Sequence, residues 1–510
     1  MSEIQDLKME SFQRLCELCA ELKLKSPHPS RPHIPKAVEP TTLSSIHYLF
    51  ECIFAKETQN IASEDEQATF IAKKSNALCD LCTFVRNAAA MDHENQHAID
   101  SSNITTDVRK TIFAMIAHEL VHPEAMKCAT IAGQALSNIV TRNQKLQRKL
   151  LEQELIPGSS DNKTVFWQLL ASAHRKTNLA GLVLVLNSIN GDPELVRLIC
   201  TASSGQQVVR MFGTLFGNIQ DDESEEKEVV YTVLSRIIES GYFYTLVEAD
   251  RTLEMYGLYE SLAVYCRAHS DKADLISSVF DKKLVFSISS SFAQIHDVLS
   301  SLWQVAAPGN PEFGKSLDME SAMAAHRCLC ALLSILETAT ASHNQKLADL
   351  AIDCKLAHRI VELLGLLNIN LPRIQRLSTR SSTATEERQQ QDKEEGQTKS
   401  IERLFMLKCD LIQIIGNISY KHKAIQDLMR ELDGLSLVLD NMRIDENHPF
   451  IKEYAIVALK WLLDNNKESH EYVKNMEASK PMLDPSIAAS GFQMDVDDKG
   501  KISVKKADKQ

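Results

Sequence analysis

The sequence is poor in the residues that make tight turns. It holds 17 Gly and 14 Pro among 510 residues, which is about 6% of the chain where roughly 12% is usual. Sandwiches and barrels of β-strands need such residues at most of their connections, so this shortage nearly excludes an all-β fold. Hydrophobic residues make up 44% of the chain, which is ample for a large core.

The chain also lacks an excess of positive charge and any long apolar run. Its 56 Lys and Arg are outnumbered by 68 Asp and Glu, so the net charge is −12. A sequence-independent nucleic-acid binder gains most of its affinity from basic residues, so no nucleic-acid partner is expected. The N-terminus lacks the pattern of a signal peptide. The longest purely apolar run, Leu179–Leu186, is far shorter than the roughly 20 residues of a membrane span. We therefore expect a cytoplasmic protein that does not insert into membranes.

The cysteines do not form the pattern of a disulfide-rich domain. Twelve are scattered along the chain, as small buried hydrophobic residues are in a reducing compartment. Two C-x-x-C pairs, Cys16 with Cys19 and Cys79 with Cys82, have no second pair or His cluster nearby. Such pairs are more typical of a helical core than of a metal or redox site, and we expect no metal or cofactor.

Four segments share one apolar pattern with the spacing i, i+3, i+4 and i+7, which places one stripe on one face of a helix. The stripes are Leu81, Phe84, Val85, Ala88; Ala132, Ala135, Leu136, Ile139; Leu411, Ile414, Ile415, Ile418; and Ala455, Ala458, Leu459, Leu462. Six residues after the first member stand Asn87, Asn138, Asn417 and Trp461, and nine residues further stand Gln96, Gln147, Gln426 and His470. The shared template indicates an internal repeat.

The spacing of the copies indicates the repeat class. Asn138 follows Asn87 by 51 residues and Trp461 follows Asn417 by 44, close to the roughly 40–47 residues of armadillo and HEAT repeats. Weaker copies end near Asn187 and Asn218. Units of this kind bury their apolar faces only by stacking. The sequence therefore predicts an all-α, armadillo/HEAT-like helical-repeat solenoid.

The repeated Asn has two interpretations. In some armadillo proteins a row of such side chains binds the backbone of an extended peptide, whereas an Asn near a helix end more often satisfies backbone groups locally. The peptide-binding class also needs a Trp four residues before the Asn on successive repeats. Only Trp461 with Asn465 has this spacing. The structural role is favoured, and a receptor for peptide cargo stays an alternative.

One short motif suggests an enzyme. His118-Glu119-Leu120-Val121-His122 matches H-E-x-x-H, which on a continuous helix binds Zn²⁺ through both His residues. Here Pro123 follows directly, and the run is typical of a turn between two helices. A zinc peptidase is therefore a remote alternative, and we expect no enzyme activity.

The chain divides into six parts by composition. These are an N-terminal helix in 1–25, a Pro-rich linker in 26–42, helical repeats in 43–377, a disordered polar insertion in 378–400, further repeats in 401–480 and a disordered tail in 481–510. The insertion has a single apolar side chain, Ala384, too few to offset the entropy of ordering.

The segment from Asp410 to Val473 resembles the C-terminal domain of the ataxin-10 family. The resemblance is carried by Ile415-Gly416-Asn417, Gln426, Arg430 to Asp433-Gly434, Asp445-Glu446, Asn447, Pro449-Phe450-Ile451-Lys452-Glu453, Ala458-Leu459 and Asn465-Asn466. Two positions depart from the family pattern, since His448 separates Asn447 from Pro449 and Tyr454 stands where Trp is common. From the residues alone, Gly434 can supply the left-handed conformation of a turn, and Pro449 suits the first turn of the helix carrying Phe450 and Tyr454.

The resemblance implies a non-enzymatic, armadillo-like scaffold that binds other proteins and contributes to cytokinesis and cell-division control. The candidate interaction residues are Asn417, Gln426, Asp433, Gly434, Asn447, Pro449, Phe450, Glu453 and Trp461. The partners are expected to be proteins, and self-association is left open.

Overall fold

The computed structural model describes most of the chain. The described residues are 12–27, 37–55, 64–118, 122–155, 164–219, 221, 223–249, 256–306, 319–371, 406–443, 445, 448, 450–476, 492–496 and 502–506. The insertion expected in 378–400 lies outside them. The chain forms two compact units, Met1–Ala339 and Thr340–Gln510.

The N-terminal unit is built of helices within the part that is described. They are α1 Phe12–Leu24, α2 Pro40–Phe54, α3 Glu64–Ala89, α4 His93–Ser101, α5 Ile104–Ile116, α6 Pro123–Val140, α7 Gln144–Glu154, α8 Val165–Leu170, α9 Arg175–Ile189, α10 Pro193–Thr201, α11 Ser203–Asn218, α12 Glu225–Glu239, α13 Phe243–Ala249, α14 Tyr256–Ala268, α15 Ala273–Val279, α16 Lys282–Ala306 and α17 Met319–Thr340. The long helices α3, α6 and α9 pack side by side in that order, as successive repeats of a solenoid do.

The C-terminal unit continues the same pattern. Its helices are α18 Gln345–Asp353, α19 Leu356–Asn370, α20 over 406–419, α21 Lys423–Glu431, α22 Gly434–Asp440, α23 Ile451–Leu463 and α24 Lys467–Asn475. Strands β1 Phe492–Val496 and β2 Ile502–Lys506 form an antiparallel pair, with Met494 opposite Val504. This hairpin lies in the stretch 481–510 that the sequence predicts to be disordered; the rest of that stretch lies outside the described residues.

The four apolar stripes face the core, as the periodicity predicts. Fifteen of the sixteen stripe residues are buried, and Leu459 is half-buried. The all-α, armadillo-like fold class is confirmed by the long helices that these stripes bury.

Left-handed residues make the turns inside each repeat. A positive φ occurs four positions after the template Asn or Trp, and the residues there are Arg142, Gly191, Lys421 and Asn465. A second turn has a positive φ at Asn103, Lys355 and Asp433. Only one of these positions is Gly, although a left-handed conformation costs other residues roughly 1 kcal/mol. This explains how the chain makes many turns with few glycines.

The prediction that Gly434 supplies a left-handed turn is wrong. Asp433, with φ 59°, takes that conformation, and Gly434 is the first residue of α22. A Cβ on Gly434 would lie 3.1 Å from Val361 Cγ2 and 3.2 Å from the Met429 carbonyl oxygen. Gly434 therefore lies in a closely packed position, and its backbone freedom is not used.

The template Gln joins each repeat to the next. Gln96 Nε2 donates to the carbonyls of Asn138 and Thr141 at 2.9 and 3.2 Å, and Gln147 Nε2 donates to those of Asn187 and Asn190 at 2.6 and 3.2 Å. These carbonyls are at the C-terminal ends of α6 and α9, where the regular i to i+4 donors of the helix run out. The buried amide thus caps the long helix of the following repeat.

The same bonds recur in the C-terminal unit. Gln426 Nε2 donates to the carbonyls of Trp461 and Asp464 at 2.8 and 3.2 Å. The carbonyls accepting this amide stand at the same template positions as those in the N-terminal unit. We call this repeated set of amide bonds the glutamine ladder.

The side-chain oxygen Oε1 of each glutamine in the ladder needs a hydrogen-bond donor of its own. Asn143 Nδ2 donates to Gln96 Oε1 at 2.9 Å, and Asn466 Nδ2 donates to Gln426 Oε1 at 3.2 Å. At the corresponding position of the third repeat stands Asp192, whose carboxylate has no N–H. Gln147 Oε1 is accordingly buried without a hydrogen-bond partner among the described residues.

One helix passes a simple test for a membrane span. Within the described residues, Glu320–Thr340 alone is long and apolar enough, by length and composition, and 44% of its most apolar window is buried in the structure. A core helix passes the same test, so this is weak support for a span. This segment contains no long purely apolar run, because polar residues interrupt it.

We predict that Asp192→Asn stabilises the N-terminal unit. The new Nδ2 can donate to Gln147 Oε1, while Oδ1 still caps α10 by accepting from the Glu194 amide. Satisfying a buried acceptor contributes about 1 kcal/mol, and the ion pair with Arg148 that is lost is long, at 3.8 Å, and partly exposed. Hydrogen exchange of α7 and α10 should slow in this variant.

The control is Asp192→Ala, which removes the cap of α10 and supplies no donor. It should accelerate exchange in the same helices. Equal exchange rates in Asp192→Asn and the unsubstituted protein would contradict the role of the ladder.

Candidate protein-interaction surface

Helix α23 has apolar residues on two sides. On one side Ile451, Ala455, Ala458 and Leu462 are buried in the core. Ala458 packs against α20, where a Cβ added to Gly416 would lie 3.0 Å from the Ala458 Cα. This side of α23 is thus fixed against its own unit.

The other side of α23 presents an apolar stripe to solvent. Phe450 is 64% exposed, Tyr454 38% and Val457 53%, and Trp461 is half-buried. Their spacing of four, three and four residues places them on one face of the helix. We call these four residues the α23 stripe. Ile456, 45% exposed, lies next to Val457 in sequence but on a different face.

Aromatic rings extend the surface at the Trp461 end. The rings of Tyr420 and Trp461 are perpendicular with centroids 4.5 Å apart, and the His343 ring stacks on Tyr420 at 4.2 Å. Lys460 Nζ lies 4.5 Å from the Trp461 centroid, and Lys421 Nζ lies 5.1 Å from that of Tyr420. Since ring faces attract cations, this end already holds two positive charges of the chain itself. It therefore suits an apolar or acidic partner better than a basic peptide.

The repeated Asn side chains contact neighbouring repeats. Within the N-terminal unit, Asn138 Nδ2 donates to the Arg86 carbonyl at 2.9 Å, and Asn187 Nδ2 donates to Ser137 Oγ at 2.8 Å. In the C-terminal unit, Asn417 Nδ2 donates to Thr340 Oγ1 at 3.1 Å. These amide donors hold repeats together, so the peptide-cargo interpretation gains no support from them.

The other candidate residues have different positions. Gln426 is a buried member of the ladder, and Asp433 is an exposed turn residue that accepts from the Tyr472 hydroxyl at 3.2 Å. Glu453 is exposed on α23. Asn447 and Pro449 lie outside the described residues. The structure thus places Glu453 and Trp461 on α23 and Phe450 at its N-cap.

Sequence reasoning missed Tyr454, Val457, Tyr420 and His343 as surface residues. For Tyr454 and Val457 the available signal was a second apolar stripe of α23, which lies beside the buried stripe at helical spacing; this signal does not extend to Tyr420 and His343, which are outside α23. The repeat template does not include this second stripe, because the template follows a single apolar stripe in each helix.

The H-E-x-x-H motif does not lie on one helix. Helix α5 ends at Ile116 and α6 begins at Pro123, so His118 and His122 belong to the connection between them. Their ring centroids are 6.2 Å apart. Within the residues that the structure describes, no group of three His, Cys, Asp or Glu side chains is placed to hold a metal ion.

The C-x-x-C cysteines are mostly core residues. Cys19, Cys79 and Cys82 are buried, and Cys16 is half-buried. Burial raises the pKa of the Cys79 thiol to about 11. A protonated, buried thiol is a poor nucleophile and a poor metal ligand.

A buried Cys–His contact anchors the loop before α23. Cys409 Sγ lies 3.1 Å from His448 Nδ1, and both side chains are buried. Burial raises the pKa of Cys409 and lowers the pKa of His448. A neutral thiol and a neutral imidazole therefore share this hydrogen bond. His448, which departs from the family pattern, thus ties the loop to α20.

We predict that the C-terminal unit loses stability below about pH 6.5, the ordinary pKa of His in an unfolded chain. Because the pKa of His448 is lower in the folded state, the unfolded chain binds the proton first as the pH falls. The contribution of the neutral His448 side chain to folding stability is complete above pH 6.5. It is lost as the pH falls below that value. Hydrogen exchange of α23, corrected for the intrinsic rate, should be faster at pH 5.5 than at pH 7.5.

The variant His448→Gln should weaken this pH dependence, because Gln does not titrate. His470, an exposed residue on α24, supplies the control His470→Gln, which should keep it. A pH dependence that persists unchanged in His448→Gln would contradict the assignment.

Part of the C-terminal unit matches a known protein family. The model described as "Spinocerebellar ataxia type 10 protein domain" matches residues 407–505. This range begins in α20 and ends within β2, so it includes the α23 stripe and most of the hairpin.

Individual relatives match mainly over the same part. The ataxin-10 homolog of Saccharomyces cerevisiae is 46% identical over 97 residues, covering 19% of this chain and 17% of that protein. Ataxin-10 of Xenopus tropicalis is 38% identical over 103 residues, covering 20% and 21%. Ataxin-10 of Bos taurus is 30% identical over 179 residues, covering 35% and 34%. The matched segments therefore span about a third or less of these relatives.

Solved structures match more of the chain at low similarity. An engineered protein covers 90% of this chain and 97% of its own, at 12% identity and a TM-score of 0.34. SYS-1 covers 89% and 75%, at 12% identity and a TM-score of 0.27. Scores this low carry no argument, and the fold stands on the helices described above. The family model and the identities to the relatives show that residues 407–505 form a domain of the ataxin-10 family.

Proposed function

We propose that the protein is a non-enzymatic scaffold whose α23 stripe binds other proteins, and that it acts in the cytoplasm in the control of cytokinesis and cell division. Family membership and the helical-repeat fold support a scaffold. The process is the one that the ataxin-10 resemblance implies.

The exposure of the α23 stripe carries the proposal. Three large apolar side chains, Phe450, Tyr454 and Val457, are solvent-accessible on a helix whose other face is packed. Contiguous apolar patches of this kind mark interaction sites. Aromatic residues such as Trp461 and Tyr420 are also the types that dominate binding energy at interfaces.

The charges near the stripe define the partner segment. Lys421 and Lys460 lie over the aromatic rings at one end. An apolar segment flanked by Asp or Glu would bury its side chains on the stripe and meet these ammonium groups. Electrostatic complementarity of this kind contributes to specificity.

The test is affinity capture by the full-length protein from synchronised dividing cells. Val457→Asp places a charge in the stripe and should reduce recovery of the specific partners about tenfold or more, the loss expected at a central interface residue. Val457 is exposed, so the substitution leaves the core intact. Ile456→Asp places the same charge one residue away, outside the stripe, and should leave recovery unchanged.

Equal recovery with both variants would reject the stripe as the binding surface. A protein ending before residue 401 should also lose the partners, because it lacks the whole surface. A partner set without any division protein would reject the proposed process and leave the binding surface standing.

A further inference from the structure

A polar cavity lies where successive repeats of the N-terminal unit turn. Its volume is about 390 Å³, which is within the range of ligand sites. His93 and Gln144, the first residues of α4 and α7, line it, and so does Gly191 in the turn before α10. The cavity therefore lies beside the N-terminal ends of three helices, and we call it the turn cavity.

The side chains that line the turn cavity include basic groups and no acidic ones. His93, His97 and Arg142 are the basic residues among them, although the whole chain has a net charge of −12. All three are exposed, so a bound group can reach them. A cleft lined by charge of one sign concentrates ligands of the opposite sign, and this one therefore favours an anion.

Helix α7 adds its own N-terminus to this basic wall. The backbone amides of a first helical turn have no acceptor inside the helix and attract anions. The carboxylates of Asp92 and Asp192 cap α4 and α10, whereas the neutral side chain of Asn143 caps α7. No capping carboxylate therefore offsets the positive end of the α7 dipole, and Arg142 directly precedes this cap.

A buried acceptor on the wall of the turn cavity lacks a donor. Gln147 lines the cavity and is 1% exposed, and its Oε1 has no hydrogen-bond partner among the described residues. The equivalent oxygen, Gln96 Oε1, accepts from Asn143 Nδ2 at 2.9 Å and from His93 Nδ1 at 3.0 Å. A ligand with an N–H group at this wall would supply the donor that Gln147 lacks.

We propose that the turn cavity binds an anionic side chain of an extended partner peptide. Arg142 pairs with the anion, which is a carboxylate or a phosphate group, and Gln147 Oε1 accepts a backbone N–H of the same peptide. A peptide carries both groups a few atoms apart, and a short stretch of it fills a cavity of this size better than a small free anion does. The site is in the N-terminal unit and is independent of the α23 stripe.

Synthetic peptides test the proposal with the purified full-length protein. The probes are capped pentapeptides of glycine with glutamate, phosphoserine or serine at the centre. Saturation-transfer NMR detects weak binding through the signals of the peptide itself. It should show binding of the glutamate probe, the phosphoserine probe or both, and none of the serine probe. Equal binding of all three probes, or no binding of any probe at millimolar concentration, would overturn the proposal.

The variant Arg142→Asn tests the ion pair. Asn tolerates the left-handed conformation of this position, with φ 57°, and it removes the charge. Loss of a hydrogen bond to a charged group should weaken binding of the anionic probe about tenfold or more. Arg148→Gln removes one positive charge from α7 outside the cavity and is the matched control, which should leave the affinity nearly unchanged. Equal losses in both variants would assign binding to the general surface charge and contradict a built site.

The variant Asp192→Asn separates the amide contact from the effect of charge. It removes a negative charge next to Gly191, so charge alone would tighten binding of an anion. Its new Nδ2 can donate to Gln147 Oε1 and then occupies the acceptor that the peptide N–H needs, so we expect binding to weaken severalfold. Tighter binding would reject the contact with Gln147. Because these measurements involve neither the α23 stripe nor a cellular partner, failure of the function proposed above would leave them unaffected.

Discussion

The glutamine ladder is the interaction on which the repeat architecture depends. A long helix ends with backbone carbonyls that have no partner inside the helix, and burying them between repeats would be costly. The side-chain amide of Gln96, Gln147 or Gln426 supplies the missing donor from the preceding repeat. Stacking therefore satisfies polar groups as well as burying apolar ones, and this fixes the register between neighbours.

The ladder tolerates substitution because its geometry can be met in other ways. In the C-terminal unit, His343 Nδ1 donates to the Asn417 carbonyl at 3.3 Å and Gln345 Nε2 to that of Tyr420 at 3.1 Å. Two side chains thus replace one Gln. At Gln147 the replacement is incomplete, since Asp192 cannot donate to its oxygen. We therefore expect the repeats to differ in stability, although they share the same sequence template.

Much of the fold could be predicted from the sequence because its signals are local. Helical spacing located the four buried stripes, and the shared Asn and Gln positions identified the repeat. What failed depended on partners distant in sequence. The neighbouring residues predict a turn at Gly434 because they do not reveal its close approach to Val361, and the role of His448 depends on Cys409, 39 residues away.

The candidate surface was predictable only in part for a similar reason. Phe450, Glu453 and Trp461 were selected because they belong to the family motif, and they lie on the exposed face of α23. Gln426 and Gly434 belong to the same motif but serve packing. The motif residues of this chain thus include buried ones that serve packing and exposed ones that are accessible for contact, and burial separates the two groups.

The structural and the exposed residues are nevertheless coupled. Gln426 holds the carbonyl of Trp461 at 2.8 Å, while the indole of the same residue packs on Tyr420 at the end of the α23 stripe. The buried amide therefore positions the last turn of α23, and with it the aromatic end of the surface. A repeat that is fixed in this way can present a preorganised surface, which lowers the entropy that the surface itself must lose when a partner binds.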